Sequence, residues 1–193
     1  AASDVYKRQR VCRHLHLPIQ SGSDDVLRAM NRHYRLAEYK NLIADLRERI
    51  PDLALTTDLI VGFPGETEEN FKETLATLEE LKFSAIHIFP YSQRTGTPAA
   101  TYPNQVLPEI KKERVHRVQE LEKKLSEAYR RRFLGKSVRV LPEEEKNGCF
   151  EGLSDEYIRV YLKGEGIERG KIYSVKINSL TEDGLSGVVE RED

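Results

Sequence analysis

One run of eleven residues, 53–63 (LALTTDLIVGF), does most to limit what this chain can fold into. It is nearly continuous in apolar and β-branched residues and carries a single acid, Asp58. Such a run suits a strand covered on both faces, as in a parallel sheet flanked by helices. Two further runs extend the pattern: 11–19 (VCRHLHLPI), with Pro18 near its end, and 85–89 (AIHIF). Helical spacing fills the gaps. Ser23 can cap a short helix entered at Asp24 and Asp25. Residues 36–49 place Tyr39, Leu42, Ile43 and Leu46 on one side and stop at Pro51. Thr67, Glu68 and Glu69 open another helix that reaches Leu81, with Leu75, Leu78 and Leu81 inward. Strand–helix–strand–helix–strand in this order means parallel pairing through right-handed crossovers. Three such strands cannot close a barrel, so the region reads as the second half of a larger domain.

After a Pro- and Gly-bearing loop at 91–108, residues 109–133 read as one long helix with Ile110, Val118, Leu121, Leu125 and Ala128 inward. Gly135 ends it. Beyond residue 134 the texture changes to short alternating runs, 137–141, 157–162, 172–177 and 185–189, split by Gly, Asn and Asp turns. That is the signature of a small antiparallel β-barrel of about 58 residues.

Charge follows the same divisions. The whole chain of 193 residues is nearly neutral, at −1. Residues 108–135 hold nine basic and five acidic side chains, whereas 136–193 hold nine against thirteen. The long helix is therefore the electrostatic candidate for a polyanion, and a solvated helix face is the plain alternative. In the barrel a local patch of Lys136, Arg139, Arg159 and Lys171 would have to serve. No run approaches the roughly 18 apolar residues of a membrane span, and the opening AASDVYKRQ has no apolar core of a secretory signal. The chain is expected to be soluble and cytoplasmic.

In parallel α/β folds, ligands sit at the carboxyl ends of the strands. Three polar loops emerge there: 18–23 (PIQSGS), 62–66 (GFPGE) and 90–94 (PYSQR). Gln20 and Ser21 suit a ribose or an amino-acid carboxylate, or else they satisfy loop amides. Asp58, inside a buried strand, needs a hydrogen-bonding partner or a ligand. The stretch GFPGETEE resembles a phosphate loop, but Glu66, Glu68 and Glu69 would repel phosphate and are expected to offset the helix dipole instead. No Lys-Ser/Thr ending follows, which rejects a nucleotide-triphosphate site. His14 and His16 share a strand face. Without a third ligand nearby they read as packing or hydrogen-bonding residues, and His33, His87 and His116 make no spacing motif with them. No metal site and no catalytic residue is expected within this chain. Two cysteines, Cys12 and Cys149, are too few for an iron–sulfur cluster or a structural zinc.

Three long motifs in series, HLPIQSGSDDVLRAMNRHY, TTDLIVGFPGETEENF and FPYSQRTGTPA, resemble the radical S-adenosylmethionine (SAM) methylthiotransferases. The segment from about Phe133 is similar to their TRAM domain, a small RNA-binding barrel. The resemblance implies an α/β partial (half) TIM-like barrel followed by a small antiparallel β-barrel, the OB-like TRAM domain. Residues 1–9 look like a non-native leader, residues 10–133 like the C-terminal half of the radical SAM domain with the basic helix at its end, and 134–193 like the TRAM barrel. The wording around HLHLPIQSGSD and FLGK…GLSDEYIRV is most similar to the bacterial branch acting on N6-threonylcarbamoyladenosine next to the tRNA anticodon.

By that resemblance, the intact enzyme holds two 4Fe-4S clusters, and SAM, reduced to a deoxyadenosyl radical, drives insertion of a methylthio group at C2 of the adenine. No cluster ligand matches here, so this chain alone is expected to be inactive. The matching cofactor wall comprises Gln20 and Ser21 near the SAM ribose and methionine, Asp58, Val61 and Gly62 backing the adenine through main-chain contacts, and Phe89 and Tyr91 beside it. Arg32 and Arg94 match motif arginines that face substrate or stabilise the site. The expected partners are tRNA and a flavodoxin- or ferredoxin-type reductant, with no membrane, and the chain is expected to be a monomer. Two rival readings stand beside this one: a sister branch with an isopentenyladenosine or ribosomal-protein target, and a stand-alone RNA-binding protein.

Overall fold

The structure, a computed structural model, describes residues 12–146 and 148–190; residues 1–9, read as a leader, lie outside them. The chain forms two compact units. Among the described residues, a sheet unit comprises Leu15–Pro51 and Leu55–Ser126, and a barrel unit comprises those from Glu127 onward together with 12–14 and Asp52–Ala54.

The sheet has three strands, β1 (His14–His16), β2 (Ala54–Val61) and β3 (Ala85–Pro90), in that spatial order. β2 and β3 pair in parallel with Asp58 opposite His87, and Gln20 just past β1 makes a parallel bridge to Leu59. Helices α1 (Asp24–Ala29), α2 (Leu36–Arg49), α3 (Glu68–Leu81) and α4 (Pro108–Arg131) follow in the chain, α4 belonging to this unit as far as Ser126. The helices cover one face of the sheet. There Leu55, Leu59 and Val61 of β2 and Ile86 of β3 pack with Tyr39, Ile43, Phe71, Leu78 and Val118 in a continuous buried cluster. Because strand residues alternate, His16, Thr56, Asp58, Ile60, His87 and Phe89 point to the other face.

Several helix details differ from the sequence pattern. Ser23 sits at the N-cap of α1 but makes no side-chain cap bond, because its hydroxyl donates instead to Glu73 at 2.6 Å. Leu42 is 48% exposed, since the stripe of α2 that meets the sheet is only as wide as Tyr39 and Ile43. In α4, Ala128 is exposed and Tyr129 is buried instead, its hydroxyl donating to the Asp52 carbonyl at 2.7 Å. Thr67 caps α3 as expected, accepting from the Asn70 amide at 3.2 Å. Among the described residues no helix is long and apolar enough to cross a membrane.

The barrel closes from β4 (Ser137–Lys146), β5 (Cys149–Ser154), β6 (Arg159–Lys163), β7 (Tyr173–Leu180) and β8 (Leu185–Val189) in the order β4-β5-β6-β8-β7, with β7 returning to β4. It is not wholly antiparallel, as the sequence suggested: β6 and β8 run parallel, with Val160 opposite Leu185. An odd number of strands cannot alternate direction all the way round a closed ring, so one pair must run the same way. Its interior holds Val138, Val140, Val160, Leu162, Val175, Ile177 and Leu185. β5 was not legible as a strand, because Gly152 interrupts its pattern. A Cβ there would lie 2.1 Å from the Leu141 carbonyl oxygen, so the close approach of β4 demands glycine.

Candidate functional site

The candidate site is the carboxyl end and open face of the three-stranded sheet. The 18–23 loop is held from below by two phenols: Tyr39 donates to the Leu17 carbonyl at 2.6 Å and Tyr34 to the Ile19 carbonyl at 3.0 Å. Burial pushes the Tyr39 phenol up to about 12, so it stays a donor. Gln20 takes a left-handed backbone conformation (φ 62°) and locks into β2, its amide donating to the Asp58 carbonyl and its carbonyl accepting from Ile60, both at 2.9 Å. Its main chain is thus fully used, and its side-chain amide is the group left to act. Gly22 follows because a Cβ would meet the Thr74 backbone at 2.6 Å, where α3 crosses the loop. Ser21 is 1% exposed, and its hydroxyl accepts from the Ser23 amide, which is the loop-satisfying role.

Asp58 does have the partners its position demanded. Its Oδ1 lies 3.3 Å from His16 Nε2 and 3.2 Å from His87 Nδ1. Three residues with no sequence spacing between them therefore meet on one face; the expectation that no third ligand lies near His16 is overturned. Phe89, one pleat further along β3, is half exposed, and Ile60 beside it is half buried. This face accordingly offers an apolar patch beside an acid and two imidazoles.

The remaining residues of the expected cofactor wall have partners within the same unit. Val61 has its side chain in the helix-side core and its carbonyl accepts from the Tyr91 amide at 2.8 Å. The Gly62 amide donates to Glu66 Oε1 at 3.0 Å. The Tyr91 ring stands edge-on to Phe63 and lies under the Lys111 ammonium.

Glu66 does not offset a helix dipole, as its position suggested. It is buried against Arg114 of α4, whose Nη1 reaches Oε1 at 2.7 Å. Burial raises the Glu66 carboxyl above its ordinary range, while the Gly62 amide and then Arg114 pull it back. Glu69 at the α3 N-terminus does behave as a dipole partner; its carboxyl is held low, first by a backbone amide.

The basic helix is less available than its charge implied. Lys111 donates to the Tyr91 carbonyl, Arg114 to Glu66, and Arg117 to Glu68 and Glu113. In the barrel unit, Arg130 is buried and donates to the Glu182 carbonyl, Arg131 pairs with Glu127 and Arg132 with Asp52. The barrel patch is likewise engaged. Lys136 meets Asp52 at 3.5 Å, Arg139 meets Asp155 at 3.4 Å, Arg159 meets Glu151 at 2.9 Å and Asp183 at 3.4 Å, and Lys171 meets Glu168 at 2.7 Å. All four heads remain about half exposed. Arg32 lines a shallow pocket of about 250 Å³ with Arg28, His33, Arg35 and Asp24, and Arg94 is exposed on its loop. Cys12 is exposed and Cys149 half-buried, both as free thiols.

Comparison with known proteins adds ancestry to this geometry. Residues 4–78 match the radical SAM superfamily. The chain is 45% identical over 186 residues to the tRNA-2-methylthio-N(6)-dimethylallyladenosine synthase of Acetivibrio thermocellus, covering 95% of this chain and 39% of that protein. It is 44% identical over 176 residues to the threonylcarbamoyladenosine tRNA methylthiotransferase MtaB of Bacillus subtilis, covering 89% and 39%. The chain thus spans about two fifths of the length of the curated relatives it matches. Among solved structures, the radical SAM enzyme coproporphyrinogen III oxidase of Escherichia coli shares the fold with a TM-score of 0.51 at 17% identity, over 80% of this chain and 43% of that one.

Proposed function

The chain is a relative of the radical SAM tRNA methylthiotransferases, and on that premise we propose that it is the distal part of such an enzyme, with a sheet that walls the SAM site and a TRAM-type barrel that holds tRNA. The observation that carries this reading is continuity. Alignments averaging 44–45% identity over 176–186 residues cover 89–95% of the chain, so they take in the sheet, the long helix and the barrel.

Within this reading the open face of the sheet takes SAM. The half-exposed Phe89 and Ile60 suit the adenine, and the Gln20 amide suits the ribose or the methionine carboxylate. Asp58, Val61 and Gly62 contribute as backbone, and Ser21 and Tyr91 shape the loops. When bound, SAM supplies the radical chemistry. The residues present do not fit the two 4Fe-4S clusters: clusters are held by sets of cysteine thiolates, and 193 residues contain two cysteines. These residues by themselves therefore run no radical step. A flavodoxin- or ferredoxin-type reductant belongs to the assembly that holds the clusters. Arg32 and Arg94, and Lys136, Arg139, Arg159 and Lys171 of the barrel, are the candidate contacts to tRNA.

For the target we favour N6-threonylcarbamoyladenosine beside the anticodon, on the wording of HLHLPIQSGSD and GLSDEYIRV. The dimethylallyladenosine target is the second reading, favoured by the Acetivibrio relative. A chimera tests both. Residues 10–193 replace the corresponding part of the Bacillus subtilis MtaB protein in a strain that forms neither methylthio-threonylcarbamoyladenosine nor methylthio-dimethylallyladenosine, and tRNA nucleosides are measured by mass spectrometry. Return of the methylthio group on threonylcarbamoyladenosine is the expected result. Its return only on dimethylallyladenosine would select the second reading, and a stable, tRNA-binding chimera with no methylthio product would leave the chain an RNA-binding module.

A further inference from the structure

We propose that His16, Asp58 and His87 form a binding site for a divalent transition-metal ion, of which Zn²⁺ is the best fit, on the open face of the sheet. This site lies on the face that the proposed function gives to SAM, but it is argued from these three side chains alone, and its ligands are imidazole and carboxylate where an iron–sulfur cluster takes thiolates.

The sheet builds the site. Asp58 and His87 are register partners on neighbouring parallel strands, and His16 is on the strand at the other side of β2. One donor atom from each lies within 4.8 Å of the other two. Two of the separations are 3.3 Å, from His16 Nε2 to Asp58 Oδ1, and 3.2 Å, from His87 Nδ1 to the same oxygen. A tetrahedral ion with bonds of about 2.0–2.1 Å separates its ligand atoms by about 3.3 Å, so both distances already match a coordination edge.

The second observation is the orientation of His16. Its other ring nitrogen, Nδ1, lies 2.9 Å from the Thr56 hydroxyl. With an ion bound, an Nδ1–H donating to that hydroxyl would leave the Nε2 lone pair to the metal, the arrangement that metal-bound histidines commonly have. The two imidazoles are stacked, with centroids 5.4 Å apart and planes 28° from parallel, so the exposed His87 ring must turn about its Cβ–Cγ bond to bring both in-plane lone pairs onto one ion. All three side chains keep solvent access, at 36%, 28% and 58% of their surfaces. An entry path therefore exists, and three protein ligands leave a fourth position for water or for a donor atom of a bound molecule.

The test is a Co²⁺ titration of the full 193-residue chain after chelator treatment. One equivalent should develop the visible bands of tetrahedral cobalt without a thiolate charge-transfer band. His87→Ala, at an exposed position, and the isosteric Asp58→Asn should abolish them, while their thermal melts stay that of the parent. Thr56→Val should weaken binding about 10- to 100-fold, as loss of an orienting partner does. Replacing both cysteines by serine should leave the bands unchanged. Absence of tetrahedral bands in the parent chain would overturn the proposal. So would bands that persist in His87→Ala and Asp58→Asn, or that vanish with the cysteines.

Discussion

Arg114 and Glu66, each almost wholly buried, face one another at 2.7 Å, and the same guanidinium nitrogen also donates to the Glu66 carbonyl at 3.1 Å. With the Gly62 amide on Oε1 as well, this pair pins the GFPGE loop between β2 and α4. A pair this deep costs desolvation on both sides, so its removal as a unit and its halving have different consequences.

Arg114→Met should therefore cost about 3–5 kcal/mol, because it leaves the Glu66 carboxylate buried without its counter-charge. Adding Glu66→Gln should recover much of that loss. Urea unfolding of the single and double variants measures both, and a single variant as stable as the parent would show that the pair carries no net weight.

Gly62→Ala isolates the loop's backbone requirement. Gly62 has φ +75°, and a Cβ there would come within 2.5 Å of the Lys111 Cγ. A left-handed non-glycine residue costs about 1–2 kcal/mol before any clash, so the variant should melt clearly below the parent. If Lys111→Ala removes the penalty, steric crowding dominates; if it does not, the backbone does.

The barrel unit carries its own pH dependence. Burial raises the Glu156 carboxyl above its ordinary value of 4.5, opposed first by the Ser154 hydroxyl and least among the favourable partners by Arg13, at 3.4 Å. Between 4.5 and the raised value, the folded chain holds a proton that the unfolded chain has released, so stability falls as pH rises through that window. Below 4.5 this contribution is complete. Glu156→Gln should flatten the fall, and the difference between its stability–pH curve and the parent's separates Glu156 from Glu66, which is raised in the same direction.

What the sequence disclosed and what it hid divide along the range of the interactions. β2 and α3 were readable because their signals are local: an unbroken apolar run, and a threonine cap followed by acids. The barrel's existence was readable from alternation, but the parallel β6–β8 pair follows from closing an odd ring, which no local pattern records. The site shows the same divide. Gln20 stands out in its loop, whereas the sequence separation of 29 from Asp58 to His87 hides a contact that exists only because β2 and β3 are in register. The basic helix misled for the converse reason. Its charges were counted correctly, but the acids that engage Arg114 and Arg117 come from the GFPGETEE stretch far up the chain.

That engagement sets the terms for RNA binding by the barrel. Arg159 is held by both Glu151 and Asp183, and Lys136, Arg139 and Lys171 each have one carboxylate partner. A phosphate must displace these acids, so the patch offers less than its cation count. Asp183→Asn releases one ionic restraint on Arg159 and keeps an amide oxygen that can accept from the Tyr161 hydroxyl. It should tighten tRNA binding and steepen the dependence of log K on log salt by up to about 0.7–0.9, the weight of one phosphate contact. Arg159→Ala should weaken binding and make the slope shallower by a similar amount. Fluorescence anisotropy with labelled tRNA at several salt concentrations reads both. Unchanged slopes in the two variants would remove this face of the barrel from the tRNA site and leave Arg32 and Arg94 of the sheet unit as the remaining candidates.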